Sequence, residues 1–471
     1  MKNARTERSA MAAVELRAAV SLAGIFALRM LGLFMILPVF ALYAEKLEGA
    51  TPALMGLALG AYGMTQALLQ IPFGLLSDRF GRKPLILAGL FLFALGSVVA
   101  ALSDGIYGII LGRALQGSGA IAAAVMALAA DLTREEHRTK VMAIIGMSIG
   151  LSFSVSLVAG PILDHWIGIA GIFWLTAVLA LLGIAVLVSV VPTPVSSHIH
   201  RDAEPVPAQF GQVLRDAQLL RLDFGILTLH MILTASFTAL PLVLRDYAGL
   251  PASRHWWVYL PVLVLSVITM IPLIIYGERR RRVKTVFLGA IVAVVASMLG
   301  LAEGYRSLMG IVVSLFVFYV GFNVLESSLP SLISRMAPPA SKGTAMGFYS
   351  SSQFLGAFLG GSIGGWLLGA AGFTGVFLFC AAGAAVWFAV AIAMADVQYL
   401  KTRLLRVGTI AADEATLLSK RLSGVAGVVD VVVIPEEGVA YLKVDEKLLD
   451  ENAIEAALGS DARGAQLPTG V

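Results

Sequence analysis

A series of long apolar runs constrains this chain more than any other feature. About 20 apolar residues are needed to cross a bilayer as a helix. Six such runs lie near 19–43, 53–77, 84–103, 107–131, 140–163 and 168–191. Six more lie near 223–247, 253–276, 285–302, 308–333, 343–369 and 372–395. Because backbone polar groups in lipid must be satisfied within the segment, the runs predict twelve transmembrane helices, here called spans 1 to 12.

The composition agrees with a membrane protein. Of 471 residues, 58% are hydrophobic and 14% are charged, which is more apolar surface than a soluble fold of this length can hide. The N-terminus lacks a short apolar core with a small-residue cleavage site, so the first run is interpreted as a retained span. Cys380 is the single cysteine, which excludes an intramolecular disulfide.

Charges in the loops predict the orientation. The basic residues collect on one side, at Arg79, Arg82, Lys83, Arg134, Arg138, Lys140, Arg279 to Arg282, Lys284, Arg335 and Lys342. The other side has only Lys46, Arg245, Arg254 and Arg306. The positive-inside rule therefore places both termini in the cytoplasm. It also accounts for the net charge of +4 without a nucleic-acid partner.

The chain divides into four predicted parts. Residues 1–191 form a six-helix bundle, 192–222 a cytoplasmic linker with an amphipathic segment, 223–396 a second six-helix bundle, and 397–471 a cytoplasmic domain. The basic loop that begins at Gly74 after span 2 has a counterpart at Gly277 after span 8. Parallel repeats of this kind indicate two bundles with a substrate path between them.

The last part of the chain has the pattern of a small α+β domain. Strands are predicted near 400–406, 428–434 and 439–444, and helices near 412–424 and 450–458. This order is that of a ferredoxin-like module, with a poor fourth strand in the final residues. The segment has no Cys or His pair for a metal, and its basic residues alternate with acidic ones, which argues against nucleic acid.

The loop between spans 2 and 3 reads GLLSDRFGRKPLIL. It resembles the loop signature of the major facilitator superfamily, G-x-L-a-D-r-x-G-r-k-x-x-l. The resemblance implies a conformational switch made of Gly74, Asp78, Gly81, Arg82 and Asp131. Asp78 would face the positive end of the span 11 helix in the outward-facing state, and Arg82 would pair with Asp131.

Span 4 carries RALQGSGA, which resembles the superfamily motif R-x-x-Q-G through Arg113, Gln116 and Gly117. In one continuous helix Arg113 would lie roughly 27 Å from Asp131, toward the outer half of the bilayer. The resemblance implies a role in proton coupling. A structural arginine bonded to carbonyl groups is the alternative.

Small residues in spans 5 and 11 bear on the direction of transport. Gly160 and Pro161 resemble the core of the antiporter signature g-x-x-x-G-P-x-x-G-G, although Ser156 and the pair after position 162 depart from it. Span 11 adds a glycine face at Gly356, Gly360 and Gly364. The pattern favours export over uptake.

Four polar residues lie inside spans 1, 4, 7 and 10, at Arg29, Arg113, His230 and Glu326. Ionisable residues in a span are costly and suggest function. In the superfamily these four spans line the central cavity, so we expect proton coupling here, with Glu326 as carrier and His230 as a possible partner. The candidate cavity residues are Phe34, Met35, Phe153, Phe237, Phe318 and Asn323.

The whole chain is similar to YajR-type transporters, which are regarded as proton-driven drug exporters with a C-terminal ferredoxin-like domain. The resemblance implies an inner-membrane antiporter, monomeric as a transport unit, whose partners are protons, a small amphipathic substrate and lipid. A proton symporter is one alternative, and a transceptor that signals through its C-terminal domain is another. No Walker loop is present in the sequence, so neither ATP hydrolysis nor a cofactor is expected.

Overall fold

A computed structural model describes residues 11–193, 206–338, 341–395, 401–408, 411–435, 438–445 and 448–458. The helices are α1 Ala13–Phe34, α2 Phe40–Ala44, α3 Pro52–Phe80, α4 Arg82–Ala101, α5 Ile106–Ser118, α6 Ala122–Asp131, α7 Glu135–Ser189, α8 Phe210–Val213, α9 Ala217–Asp246, α10 Trp256–Arg279, α11 Val283–Gly304, α12 Leu308–Met336, α13 Lys342–Ile392, α14 Ala412–Ser423 and α15 Glu451–Leu458. The strands are β1 Lys401–Arg406, β2 Val428–Ile434 and β3 Val439–Val444.

Two of the helices are too long for a single crossing. Helix α7 has 55 residues and α13 has 51, whereas the hydrocarbon core is only about 30 Å thick. Each has a glycine with non-helical backbone angles, Gly168 at φ 65° and Gly372 at φ 66°. Ten segments in the described ranges are long and apolar enough to span a membrane, one of them being α5 and α6 taken together. A division of α7 and α13 at these two glycines would give the twelve predicted spans, and that count stays a prediction.

The structure corrects two predicted spans. Span 4 is not one continuous helix, because α5 ends at Ser118 and α6 begins at Ala122. A Cβ atom on Gly119 would lie 2.1 Å from the Gly89 carbonyl oxygen, so the break lets span 4 approach α4 closely. The predicted axial distance from Arg113 to Asp131 assumed a continuous helix and was wrong in that respect. Span 1 likewise ends as a helix at Phe34, just before Pro38, whose missing N–H disfavours continuation.

The helices have two ends that differ in charge. We call the end at Phe80, Arg279 and Met336 the basic end, because the arginine and lysine loops lie there. The end at Pro52 and Asp246 is called the opposite end. These names do not depend on which side faces the cytoplasm.

The two bundles meet along α3 and α13 toward the opposite end. A Cβ atom on Gly56 would lie 2.1 Å from the Gly361 carbonyl oxygen, and one on Gly60 would lie 2.7 Å from the Phe358 carbonyl oxygen. Only residues without side chains permit this backbone contact. Arg245 Nη1 adds an exposed ion pair with Glu45 Oε2 at 2.6 Å. The two bundles are therefore in direct contact along α3 and α13 at the opposite end.

The C-terminal domain contains an antiparallel sheet of order β1-β3-β2 with α14 and α15. Leu405, Leu422, Leu442 and Ile454 form its core, each 1% exposed or less. The predicted strands and helices are present with shifts of one or two residues at their ends. The predicted fourth strand lies in 459–471, outside the described residues.

Candidate functional site

The basic loop after α3 binds three helices together. Arg82 is buried and its Nε lies 3.3 Å from Asp131 Oδ2 at the end of α6. Its Nη1 donates to Ser77 Oγ at 2.7 Å and also to the Asp78 carboxylate. Gly81 has φ 92°, a value that favours glycine and permits the turn into α4. The structure thus brings Asp78, Arg82 and Asp131 into one network, while their role as a switch stays a prediction.

Gly74 contributes to this network through its carbonyl group. That oxygen accepts a hydrogen bond from Ser77 Oγ at 2.6 Å, and Ser77 in turn accepts from Arg82. Asp78, expected to face the start of span 11 in an outward-facing state, is instead bound to Arg82 in this conformation.

Arg29 lies inside the first bundle at the break between α5 and α6. Its Nη2 donates to the Gly119 carbonyl and to Gln66 Oε1, each at 2.8 Å. The guanidinium also lies 5.4 Å from the centre of the Phe93 ring. Arg29 is 1% exposed and has no ion pair with any described residue. Its charge is therefore held by a carbonyl, an amide and aromatic faces.

Arg113 also lies against the Tyr62 ring. The guanidinium carbons of Arg29 and Arg113 are 5.8 and 5.2 Å from the ring centre. Arg113 Nη1 donates to Gln116 Oε1 at 2.9 Å, and Gln116 Nε2 donates to Ser97 Oγ at 2.8 Å. The motif residues of span 4 thus form a buried polar chain, without an ion pair to a described carboxylate.

Several glycines of the motifs mark close helix contacts. A Cβ atom on Gly117 would lie 2.2 Å from the Tyr62 carbonyl oxygen, and one on Gly160 would lie 2.4 Å from the Met35 carbonyl oxygen. Gly160 and Pro161 therefore pack α7 against the end of α1.

Helix α13 has two glycine faces, of which the sequence indicated one. Gly356, Gly360 and Gly364 pack on α9 in the same bundle; Cβ atoms on the first two would lie 2.0 and 2.2 Å from backbone oxygens of α9. Gly361 and Gly365 form the other face and pack on α3 of the first bundle. Gly360 and Gly361 are adjacent in sequence, as are Gly364 and Gly365, and the packing assigns the members of each pair to different faces.

A polar cluster lies where α9, α12 and α13 meet. Gln353 Nε2 donates to His230 Nε2 at 2.8 Å and to Glu326 Oε1 at 3.4 Å. His230 Nε2 is 4.0 Å from Glu326 Oε2, and that oxygen is buried without a hydrogen bond to a described residue. The structure brings together the two predicted residues and adds Gln353, which sequence reasoning missed. The signal available in the sequence was Gln353 itself, because it is a glutamine inside an apolar span and lies one turn from other polar residues.

An aromatic chain leads from this cluster into the first bundle. His230 and Phe322 have ring centres 6.1 Å apart, and Phe322 stacks on Phe153 at 5.9 Å. Phe153 contacts Phe34 at 5.1 Å, and Phe318 contacts Phe322 at 5.7 Å. Phe322, which the sequence analysis did not select, thus connects the bundles.

The cavity candidates Phe237 and Asn323 lie within the second bundle. Phe237 is 1% exposed and packs on Tyr259 at 6.3 Å between ring centres. Asn323 Nδ2 donates to Ser266 Oγ at 3.0 Å, which joins α12 to α10. In this conformation both side chains hold the bundle together.

The C-terminal domain is attached to the end of α12. Lys443 Nζ donates to the carbonyl oxygens of Arg335 at 2.9 Å and Ala337 at 2.6 Å. Burial lowers the pKa of Lys443 below its ordinary value; Asp430 opposes the shift and Lys342 adds to it. A cation at a helix C-terminus satisfies free carbonyl groups and stabilises the helix dipole.

Known proteins share this architecture. The Major Facilitator Superfamily model matches residues 22–361 and 255–405, and the YajR YAM domain model matches 405–460. The inner membrane transport protein YajR of Escherichia coli is 49% identical over 94% of this chain and 97% of its own length. The multidrug resistance protein MdtH of Yersinia enterocolitica is 27% identical over 72% of this chain and 83% of its own length.

A solved structure shows the same fold at low identity. A bacterial homologue of the human lysosomal transporter Spinster, solved in an inward-facing and occupied conformation, aligns with a TM-score of 0.68 at 13% identity. The alignment covers 83% of this chain and 98% of that one. These similarities and the two helical bundles confirm the predicted fold class. This chain is a membrane transporter that belongs to the Major Facilitator Superfamily and ends in a YajR YAM domain.

Proposed function

We propose that this protein is a proton-coupled antiporter that exports small amphipathic or hydrophobic compounds across the inner membrane by alternating access. One observation carries the proposal: a carboxyl group, an imidazole and an amide from three helices meet at Glu326, beside an aromatic chain that crosses between the bundles. A carboxyl in a span is costly when charged, so it favours exchange of a proton over a permanent charge.

The charge distribution supports a cytoplasmic location for the basic end and for both termini. In this orientation the opposite end, where α3 contacts α13, faces the periplasm. The conformation is then an inward-facing one. Opening toward the periplasm requires α3 and α13 to separate and Arg245 to leave Glu45. Asp78 would then meet the start of α13 as the basic end closes.

The transport cycle follows from these two states. A substrate enters from the cytoplasm and lies against aromatic surfaces such as Phe153 and Phe322. After it leaves on the periplasmic side, a periplasmic proton binds Glu326 and neutralises it. With Glu326 protonated, the protein then returns to the inward-facing state, where the proton is released. Apolar walls with few polar anchors suit hydrophobic cations or neutral drugs, in line with the relative named a multidrug resistance protein.

The test uses inverted vesicles with an acid interior and a pH-sensitive dye. Tetraphenylphosphonium and a panel of neutral drugs are added one at a time. We expect at least one compound to dissipate the gradient when the protein is present, and Glu326→Gln to abolish the response. Glu303→Gln, which changes an exposed carboxyl at the end of α11, is the matched control.

Two results would contradict the proposal. A Glu326→Gln variant that keeps the full response would remove Glu326 as proton carrier. Acidification of the vesicle interior on substrate addition would mean that proton and substrate move together, as in the symporter alternative.

The second candidate function is regulation or signalling through the C-terminal domain. It is favoured by the contact of Lys443 with the end of α12, the helix that contains Glu326. Deletion of 397–471 distinguishes the two. Unchanged proton flux with loss of a cellular response would support signalling, whereas reduced flux would support a modulatory role in transport.

A further inference from the structure

We propose that Asp223 is a second proton-binding carboxyl of the second bundle and that its protonation is coupled to that of Glu326. The inference rests on the proposed proton coupling and deepens it, since the bundle would then bind two protons at carboxyl groups. The sequence analysis did not select this residue.

Asp223 lacks the partners that a structural carboxylate has. It is 6% exposed on α9, and its Oδ1 is buried without a hydrogen bond. Within the described part of the chain, no ion pair or side-chain hydrogen bond reaches it. A buried charge without a partner is unfavourable, whereas a neutral carboxyl group costs much less. The site therefore suits a group that holds a proton.

Asp223 lies on the same helix as His230, which belongs to the Glu326 cluster. It precedes His230 by seven residues, so both lie on one face of α9 about 10 Å apart along the axis. It lies about 9 Å from the first residue of the helix, which is at the basic end. Asp223 is thus nearer to the basic end than His230.

Tyr349 on α13 lies near both carboxyl groups, those of Asp223 and Glu326. It is 4% exposed, its buried hydroxyl has no hydrogen bond to any residue that the structure describes, and it lies within electrostatic range of both Glu326 and Asp223. Gln353 follows Tyr349 by one turn and binds His230 and Glu326. Tyr349 and Gln353 therefore form a polar row on α13.

The packing of the two helices keeps these rows together. Gly356 and Gly360 bring α13 into backbone contact with α9 at Leu227 and Met231, between and beside the polar positions. Lys284 of α11 donates to the Met394 carbonyl oxygen at 2.6 Å. Negative charges on Asp223 and Glu326 would repel each other, because this packing holds the two carboxyl groups near each other. Protonation of one group is therefore coupled to protonation of the other.

The experiment is infrared difference spectroscopy of the purified full-length protein during a pH titration. It detects the C=O band of protonated carboxyl groups and needs no substrate. We expect two bands from protonated carboxyl groups that disappear in the course of the titration. Asp223→Asn should remove one, Glu326→Gln the other, and Glu303→Gln neither. The Asp223 band should remain in Glu326→Gln with a changed pH dependence.

Each outcome is decisive. If Asp223→Asn leaves the spectrum unchanged while Glu326→Gln removes a band, the inference is wrong and the proposed function stands. If Glu326→Gln removes no band, the proposed function loses its carrier. Should Asp223→Asn fail to fold, Asp223→Glu retains a carboxyl; a shifted band in that variant supports the assignment, and an unshifted spectrum overturns it.

Discussion

At the scale of single residues, the charges of the basic loop act as one network. Arg82 contacts Asp131 on α6, and Ser77 and Asp78 on α3, from a buried position. Removing one partner leaves a buried charge, which is strongly destabilising, whereas an exposed ion pair contributes only about 0–1 kcal/mol. The network is therefore sensitive to substitution although it lies at the membrane surface.

A charge reversal tests this network. Asp131→Arg places two cations together and should reduce proton-linked flux in inverted vesicles by at least tenfold. Adding Arg82→Asp restores opposite charges and should recover part of the activity. Arg79→Ala, which changes an exposed neighbour, is the control. A double variant no more active than the single variants would exclude direct pairing as the basis of the effect.

At the scale of elements, α13 connects the bundles with one glycine face and holds its own bundle together with the other. A larger side chain has different consequences on the two faces. On the face toward α3 it affects the equilibrium between conformations, and on the face toward α9 it affects the stability of the second bundle.

Gly361→Leu should shift the protein to the state that is open at the opposite end. A Cβ atom at this position would lie 2.5 Å from the Gly56 carbonyl oxygen, so the two helices must separate. Spin labels on cysteines at Thr51 and Ala370, both exposed, should report a longer distance. Gly289→Leu is the control, since nothing lies within 4 Å of its Cβ position. An unchanged distance distribution would contradict this role of the glycine contact.

Gly360→Leu should instead lower the melting temperature. Its Cβ atom would lie 2.2 Å from the Met231 carbonyl oxygen inside the second bundle, and overpacking of this kind costs about 1–3 kcal/mol. Thermal unfolding of the purified protein provides the measurement. A melting temperature equal to that of Gly289→Leu would show that α9 and α13 adapt without cost.

At the scale of the whole molecule, the C-terminal domain is linked to the transport path through α12. Glu326 precedes Arg335 by nine residues, about 14 Å along the helix, and Lys443 binds the Arg335 carbonyl. A second link, of 3.9 Å, joins Arg281 Nη2 to Asp445 Oδ1. A movement of α12 would therefore be transmitted to the domain through these contacts.

Lys443→Met should weaken this attachment because it removes both hydrogen bonds to the end of α12. Hydrogen exchange at residues 330–338 should become faster by roughly tenfold, which corresponds to about 1.4 kcal/mol. Lys420→Met, on the exposed surface of α14, should leave exchange unchanged. Equal exchange in both variants would show that other contacts hold the domain.

The sequence by itself determined the apolar spans, the charge difference between the two ends and the strand pattern of the C-terminal domain. These are properties of one segment at a time, set by the thickness of the bilayer and by local side-chain pattern. It also brought Arg29, Arg113, His230 and Glu326 to attention, because a charged or polar residue in a span is conspicuous without any knowledge of its neighbours.

Only the tertiary structure decided which faces meet. It places Gln353 between His230 and Glu326, separates the two glycine faces of α13, and interrupts span 4 at Gly119, where Arg29 binds the carbonyl. It also shows that the buried Oδ1 of Asp223 has no hydrogen bond to any described residue. These facts depend on the rotation and close approach of helices far apart in sequence. The hydrophobic pattern does not encode that geometry, because nearly every face of these helices is apolar.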